Sequence, residues 1–203
     1  MTSDHDTEAA QIRRQAFVDA LPKRLVELEG SLPTDIARAN ASARSKIGKI
    51  YRLMDQIAEV RAPHVACAGE CADCCRMNVS ISGLEAKLIA EATRRKAATV
   101  EASIRHEQGR FVGVACPFLR DDLCTIYEHR PLVCRNHASF YPTAKWCMPE
   151  HSLRTDAPMV NFSGIDEAYV AVSSGRDRMI LADIRDFFPM ASGAERAPGD
   201  DAP

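Results

Sequence analysis

The stretch Cys67-Ala-Gly-Glu-Cys71-Ala-Asp-Cys74-Cys75 places four thiols within nine residues. Spacings of the C-x3-C and C-x2-C kind let a short loop fold back so that two or three thiolates converge on one ion at about 2.3 Å. Converging thiolates form a soft site that suits zinc or an iron–sulfur cluster and does not suit calcium or magnesium. The side chains of the adjacent Cys74 and Cys75 diverge unless the backbone is strained. We therefore expect one of them to ligate a different ion or to lie behind the ligands.

Four further cysteines form a second set, and all eight lie between residues 67 and 147. Cysteines used only as small apolar core residues would be scattered along the chain, although a buried free thiol remains an alternative for any single one. The second set has separations of eight, ten and thirteen residues, which are too wide for one tight loop but allow a folded-back segment to reach the site. The sequence predicts these metal ligands: Cys67, Cys71, Cys74, Cys75, Cys116, Cys124, Cys134 and Cys147.

The overall composition describes an ordinary folded protein. The 203 residues include 26 basic and 28 acidic side chains, and 46% are hydrophobic. This balance differs from that of nucleic-acid binders, anionic-membrane binders and disordered chains, so we predict no nucleic-acid or membrane partner. Uncharged stretches are far shorter than the roughly 20 apolar residues that cross a bilayer, and charged residues occupy the start, where a secretory signal is apolar. We expect a soluble cytoplasmic protein, in which disulfides are rare.

Apolar periodicity predicts two helices before the cysteines. The first covers Thr7–Glu29, with a break or kink at Pro22 and a stop at Gly30. The second follows Pro33, covers 34–61 and is capped by its first residue, a threonine. Its apolar stripe recurs in steps of three and four, which also suits self-association through this helix. The stripe consists of Ile36, Ala39, Ala43, Ile47, Ile50, Met54 and Ile57.

Local signals are weaker after the first cysteine cluster. A capping box of Ser82 and Glu85 predicts a helix that runs to about Arg95, and a short helix is expected over 98–107. Ser163 is expected to cap a final helix that covers Ile165–Phe188.

The segment between these helices is irregular. Two short strands, Phe111–Leu119 and Cys124–Tyr127, are predicted around an Arg-Asp-Asp turn. Residues 128–158 carry four prolines and no sustained periodicity, which is unusual for a loop unless metal ligation holds it. We therefore predict a mainly α fold: a helical protein with a central irregular cysteine-rich metal-binding segment and at most a short β-hairpin. The predicted parts are a helical pair at 1–61, a cysteine-cluster domain at 62–158, a packing helix at 159–190 and a disordered tail at 191–203.

The order of the motifs carries a family resemblance. After the Cys67–Cys75 cluster come Cys116-Pro-Phe-Leu, Cys124-Thr-Ile-Tyr and Arg130-Pro-Leu-Val-Cys134-Arg135. Over roughly residues 64–148 this order resembles the YkgJ-like cysteine-cluster family of zinc- or iron-chelating CxxCxxCC proteins, although three residues instead of two separate the first two cysteines. The resemblance implies metal chelation by the cysteines and no particular reaction. A related cluster occurs in proteins resembling flagellin lysine N-methylase, which implies an enzyme alternative.

Charged and imidazole side chains near the cysteines support the same chemistry. Several thiolates around a metal leave net negative charge, which arginines beside the cysteines can offset, and surface charge is the alternative interpretation of each. The arginines in question are Arg76, Arg130 and Arg135. Histidines are substitute ligands, although each is also an ordinary polar surface residue. They are His64, His129, His137 and His151.

The leading hypothesis is a metal-binding protein that chelates zinc or iron, the iron alternatively in an iron–sulfur cluster. The rival is a metal-dependent enzyme of methyl-transferring or redox type, whose catalytic residues the sequence does not identify. Cys67, Cys71 and Cys74 also match the cluster spacing of radical S-adenosylmethionine enzymes, but the strand–helix units of such barrels are missing. A redox dithiol belongs near a βαβ unit, and none is predicted. Neither glycine-rich nucleotide loop occurs, so no nucleotide cofactor is predicted.

Overall fold

A computed structural model describes residues 4–67, 71–153, 157–175 and 178–190. More than half of these residues are helical, which confirms the predicted mainly helical fold class. The predicted disordered tail at 191–203 lies outside the described residues. The α-helices are α1 (Asp4–Ala20), α2 (Lys23–Arg38), α3 (Ala43–Arg61), α4 (Gly83–Thr93), α5 (Leu132–Asn136), α6 (Pro149–Ser152), α7 (Ser163–Ser174) and α8 (Ile184–Phe187).

Two small antiparallel sheets accompany the helices. The strands are β1 (Ser80–Ser82), β2 (Leu119–Arg120), β3 (Leu123–Cys124) and β4 (Leu181–Asp183). β2 and β3 form the short hairpin that was predicted, while β1 pairs with the distant β4, with Ile81 opposite Ala182. Short 3-10 helices cover Ala62–His64, Asp73–Arg76, Tyr127–His129 and Ala144–Cys147.

The break between the second and third helices lies later than predicted. α1 ends just before Pro22, as expected, but α2 continues through Gly30 and Pro33. Gly30 has open space where a side chain would be, and a glycine without positive φ weakens a helix without stopping it. α3 then begins after Ser42, whose hydroxyl accepts a hydrogen bond from the Ser45 N–H. The predicted stop at Gly30 is therefore wrong.

The contact between α2 and α7 explains how the proline is accommodated. Pro33 has no N–H to donate to the carbonyl of Glu29, four residues earlier. Gly164 lies directly against that carbonyl, because a Cβ at this position would be 2.1 Å from the Glu29 oxygen. The Glu29 carboxylate also accepts hydrogen bonds from the N–H groups of Gly164 and Ile165, at 2.6 and 3.1 Å. A side chain of α2 thus caps α7, and the predicted cap, Ser163, makes no capping bond.

The predicted final helix is correct only in its first half. α7 ends at Ser174, where Gly175 adopts a φ of 56°. A positive φ ends a helix, and glycine reaches it without a Cβ clash. The remaining apolar residues form β4 and α8, and Asp183 and Asp186 make a capping box at the start of α8.

The segment between α4 and β2 is extended where the sequence predicts a short helix over 98–107. The Ala98 N–H donates to the Phe187 carbonyl at 2.7 Å, and the Ile104 N–H donates to the Leu181 carbonyl at 2.9 Å. The predicted strands overlap β2 and β3 only at Leu119 and Cys124, while the predicted turn is correct: Asp121 and Asp122 have φ of 49° and 56°. Positive φ at both central residues is typical of the tight type I′ hairpin turn.

Two hydrophobic clusters form the core. The first joins α1, α2, α3 and α7 with buried residues of the 132–141 segment, and the second surrounds β1, α4, β4 and α8. The α3 positions of the predicted stripe, Ile47, Ile50, Met54 and Ile57, are all buried in the first cluster. This stripe therefore packs within the chain and does not provide the predicted face for self-association. The predicted division into four parts stays a prediction. None of the described helices is long and apolar enough to cross a membrane.

Candidate metal centre

All eight predicted ligand cysteines line one cavity of about 350 Å³. The cavity lies between the two hydrophobic clusters, since Ala58 of α3 belongs to one wall and Ile184 of α8 to another. All eight are free thiols. The fold thus brings two distant stretches of sequence to one place, as expected if they share a function.

Four of the thiols, which we call the inner set, are Cys75, Cys116, Cys124 and Cys134. Each of them lies within electrostatic interaction range of the other three. The Cys116 N–H donates to the Cys75 carbonyl at 2.7 Å, which joins the two backbone segments directly. Cys116 is only 8% exposed. Cys75 therefore groups with three cysteines of the second stretch, while its thiol also hydrogen-bonds its sequence neighbour Cys74.

Three other thiols, which we call the outer set, are Cys67, Cys71 and Cys147. They interact electrostatically with one another, although Cys147 is distant in sequence from the other two. The Asp73 carboxylate lies 3.7 Å from the Cys71 sulfur and also faces Cys147. Cys67 is exposed, unlike the members of the inner set.

Cys74 lies between the two sets. Its thiol is hydrogen-bonded to Cys75 and interacts with both Cys134 and Cys71. The thiols of the adjacent Cys74 and Cys75 are thus hydrogen-bonded to each other and share Cys134 as a neighbour, so the predicted divergence of these two side chains is not seen.

Burial holds most of these thiols in the neutral form. It raises the pKa of Cys116 to about 11 and raises the pKa of Cys71, Cys124, Cys134 and Cys147. Cys75 is the exception, because the hydrogen bond from Cys74, together with neighbouring arginines, lowers its pKa. A metal must displace protons from the buried thiols in order to bind them.

Three cysteines already accept backbone hydrogen bonds of a kind that stabilises a thiolate. The sulfurs of Cys71, Cys116 and Cys124 each accept from the N–H two residues further on. Each of these bonds favours the charged form of the sulfur and opposes the effect of burial. The local turns therefore prepare these sulfurs for a cation.

Two of the three predicted arginines face the thiols. Arg76 and Arg130 both act on the Cys75 thiol. Arg76 donates to Asp122 at 2.7 Å, and its Nη1 is buried without a hydrogen-bond partner among the described residues. Arg135 is committed elsewhere, because its guanidinium binds both carboxylate oxygens of Asp55 at 2.6 and 2.7 Å. Arg135 therefore positions α5 and does not offset thiolate charge.

Arg185 is the main residue that the sequence analysis missed. Its buried guanidinium donates to four backbone carbonyls, those of Cys75, Met77, Val114 and Ala115, and pairs with Asp183 at 2.9 Å. These bonds clamp together the two loops that carry Cys75 and Cys116. Arg185 is 110 residues from Cys75, and no local motif marks it.

Arg61 makes a comparable clamp on the other side of the cavity. This buried residue at the end of α3 donates to the carbonyls of Arg135 and Asn136 at 2.8 and 2.9 Å. It thereby fixes the last turn of α5, the helix that carries Cys134. Its charge also lies near Cys67.

Glu85 does more than the predicted capping box requires. The box is confirmed, with Ser82 as the cap of α4. The buried carboxylate also accepts from the hydroxyls of Tyr51 and Tyr169, at 2.7 and 2.6 Å, and from the Leu132 N–H at 2.7 Å. Glu85 thus ties four helices together behind the cavity and anchors α5 two residues before Cys134.

Among the predicted histidines, His137 is the one that lines the cavity. Burial, and then the charge of Arg61, lowers its pKa, so the imidazole is neutral and able to accept a metal. The rings of His64 and His151 pack on Phe17 and Trp146 instead. Within the described residues, neither these two nor His129 contributes to the cavity wall.

The donor set suits a metal–thiolate group. Within the described ranges, no three Cys, His, Asp or Glu side chains are yet close enough together to hold an ion, so binding has to draw the thiols inward. The sulfurs are soft donors, and Arg76, whose buried Nη1 has no hydrogen-bond partner among the described residues, acts on the Cys75 thiol. The buried Ser139 side chain lies beside the Cys147 thiol and favours its charged form. These features fit zinc or iron better than hard cations.

A family model described as "Putative zinc- or iron-chelating domain", CxxCxxCC, matches residues 66–150. Residues 66–150 are therefore similar to this domain, which agrees with the resemblance seen in the sequence. The match contains all eight cysteines and supports metal binding by this part of the chain. No curated protein and no solved structure shows significant similarity to the chain.

The structure around the cysteines depends on residues outside the matched range, 66–150. Arg61, which precedes it, and Ile184, which follows it, both line the cavity. Arg185, which clamps the two cysteine loops, also lies outside the matched range. The flanking helices are thus part of the site's support.

Proposed function

We propose that the protein binds zinc or iron through the thiols of this single cavity. The observation that carries the proposal is the convergence of all eight cysteines on one cavity, with three sulfurs already accepting backbone N–H bonds. When bound, the metal supplies strong bonds that cross-link the loops and, as an iron–sulfur cluster, a redox centre. The predicted cytoplasmic location supports the proposal, because it keeps thiols reduced.

The electrostatics of the cavity support thiolate binding. Four thiolates around a divalent ion carry a net charge of about −2. The guanidinium groups of Arg76 and Arg130 lie beside the thiols and offset such a charge. Structural zinc contributes on the order of 10 kcal/mol of apparent binding energy, so occupancy would stabilise the irregular segment that carries the cysteines.

The direct test is metal analysis of protein purified without air, together with its visible spectrum. Bound zinc with no visible absorbance supports the hypothesis that the protein binds metal without redox chemistry. Iron with charge-transfer bands that bleach reversibly on reduction supports an iron–sulfur centre and keeps the redox enzyme in consideration.

The same analysis applies to variants. Cys134→Ser and Cys71→Ser should each reduce bound metal, whereas Ala92→Ser, an exposed position of α4, should not. The proposal is wrong if folded wild-type protein carries no metal and cannot be loaded with Zn²⁺ or Fe²⁺.

A further inference from the structure

The eight thiols divide into two groups of unequal surroundings. In the inner set, each thiol interacts electrostatically with the other three, namely Cys75, Cys116, Cys124 and Cys134. In the outer set, each of three thiols likewise interacts with the other two, namely Cys67, Cys71 and Cys147. Cys74 interacts with the inner Cys75 and Cys134 and with the outer Cys71, so it is available to complete the outer set as a fourth thiol once the inner set holds its own metal.

The charges around the two groups differ. Arg76, Arg130 and Arg185 all act on the inner Cys75. The outer set faces the Asp73 carboxylate, which lies beside Cys71 and Cys147, and a single arginine, Arg61, near Cys67. Additional negative charge weakens the hold of an outer thiolate site, while the arginines stabilise an inner one.

Accessibility differs between one member of each set. Cys116 is 8% exposed and its loop is clamped by Arg185, whereas Cys67 is exposed to solvent and the remaining six thiols are half-buried. Cys147 belongs to a single-turn 3-10 helix, Ala144–Cys147. A competing chelator or an acceptor protein can therefore reach the outer set first, through Cys67.

We propose that the cavity holds two metal sites: a closed inner site of Cys75, Cys116, Cys124 and Cys134, and an exchangeable outer site of Cys67, Cys71, Cys74 and Cys147. This inference rests on the proposed metal-binding function. It assigns structural stabilisation to the inner metal and exchange to the outer metal.

The test loads metal-free full-length protein with Zn²⁺ without air, counts bound zinc per chain, and follows its release to an excess of a coloured chelator. Wild type should bind two equivalents and release them in two phases of equal size. Cys147→Ser should lose one equivalent and the fast phase while keeping the slow phase. Thr143→Ser, an exposed neighbour outside the cavity wall, should match wild type.

The inner site is tested with Cys124→Ser, which should lose the slow phase. Because this variant could fail to fold, Cys67→Ser provides a second outer variant that must behave as Cys147→Ser does. One equivalent in wild type, or loss of both equivalents in Cys147→Ser, overturns the two-site inference and leaves metal binding standing. Wild type that binds no zinc or iron overturns the proposed function and this inference with it.

Discussion

The backbone N–H of Cys116 donates a 2.7 Å hydrogen bond to the carbonyl oxygen of Cys75. The same carbonyl accepts from the Arg185 guanidinium at 3.3 Å. These two bonds bring a cysteine of the tight first cluster beside a cysteine of the dispersed second one. The backbones of Cys75 and Cys116 are therefore held together by contacts that do not need a metal.

Arg185→Met should destabilise the protein by about 3–5 kcal/mol. The change leaves Asp183 buried without its cation and leaves several loop carbonyls without a donor. Urea unfolding followed by circular dichroism measures the effect. Arg105→Met, at an exposed position, should change stability by less than about 0.5 kcal/mol. If Arg185→Met lost no more stability than Arg105→Met, the hydrogen bonds of Arg185 would contribute little to the free energy of unfolding.

Glu85→Gln should cost about 2–4 kcal/mol, because hydrogen bonds to a buried carboxylate are stronger than those to an amide. Two tyrosine hydroxyls and the Leu132 N–H lose a charged acceptor. Glu91→Gln on the same helix removes an exposed ion pair with Arg44 and should cost less than about 1 kcal/mol. Equal losses in the two variants, measured by urea unfolding, would contradict the proposed role of Glu85 as a tie between helices.

Gly164→Ala should destabilise the packing of α2 on α7 by about 1–3 kcal/mol or more. The added Cβ would lie 2.1 Å from the Glu29 carbonyl oxygen, which is backbone and cannot turn aside. Gly30→Ala should instead stabilise the protein by about 0.5–1 kcal/mol, since open space surrounds this helical glycine. Thermal unfolding of the two variants should therefore shift in opposite directions, and a shared direction would count against this packing.

Metal-free protein should lose stability as the pH rises from about 8.5 toward 11. An ordinary thiol releases its proton near pH 8.5 in the unfolded chain. Burial raises the pKa of Cys116 to about 11, so the folded state keeps that proton longer. The unfolded state then binds fewer protons, and the free energy of unfolding falls with rising pH.

For Cys116 alone the loss should be on the order of 3 kcal/mol by pH 11. Urea unfolding at a series of pH values measures it. Cys116→Val should flatten the profile. Zinc-loaded protein should show no such fall, because its thiols have already released their protons. A metal-free profile that rises over this pH range would contradict the burial of these thiols.

Features set by a few neighbouring residues were predictable from sequence. The Ser82 and Glu85 capping box needs only a local turn, and the α3 stripe needs only helical periodicity. Gly30 and Pro33 misled the prediction because their cost in α2 is offset by a partner helix that lies over 130 residues away. The end of α7 at Gly175 depends on positive φ, which the glycine permits without requiring it.

The candidate site was likewise predictable from sequence only in part. Clustering in sequence identifies all eight cysteines, and the fold places each of them on one cavity. Sequence distance does not show that Cys75 groups with Cys116, or Cys147 with Cys71, because those contacts depend on Arg185, Arg61 and other long-range partners. Arg135 lies beside a cysteine in sequence, yet it binds Asp55 of α3.

Arg185 follows Cys75 by 110 residues, so the two cysteine loops are synthesised before the residue that joins them. A ribosome adds about 5–20 residues per second, so the cysteine loops emerge several seconds before Arg185 does. Until β4 and α8 arrive and dock, the Cys75 and Cys116 loops lack the guanidinium that joins them. The backbone arrangement that joins Cys75 to Cys116 is therefore complete only after β4 and α8 have emerged and docked.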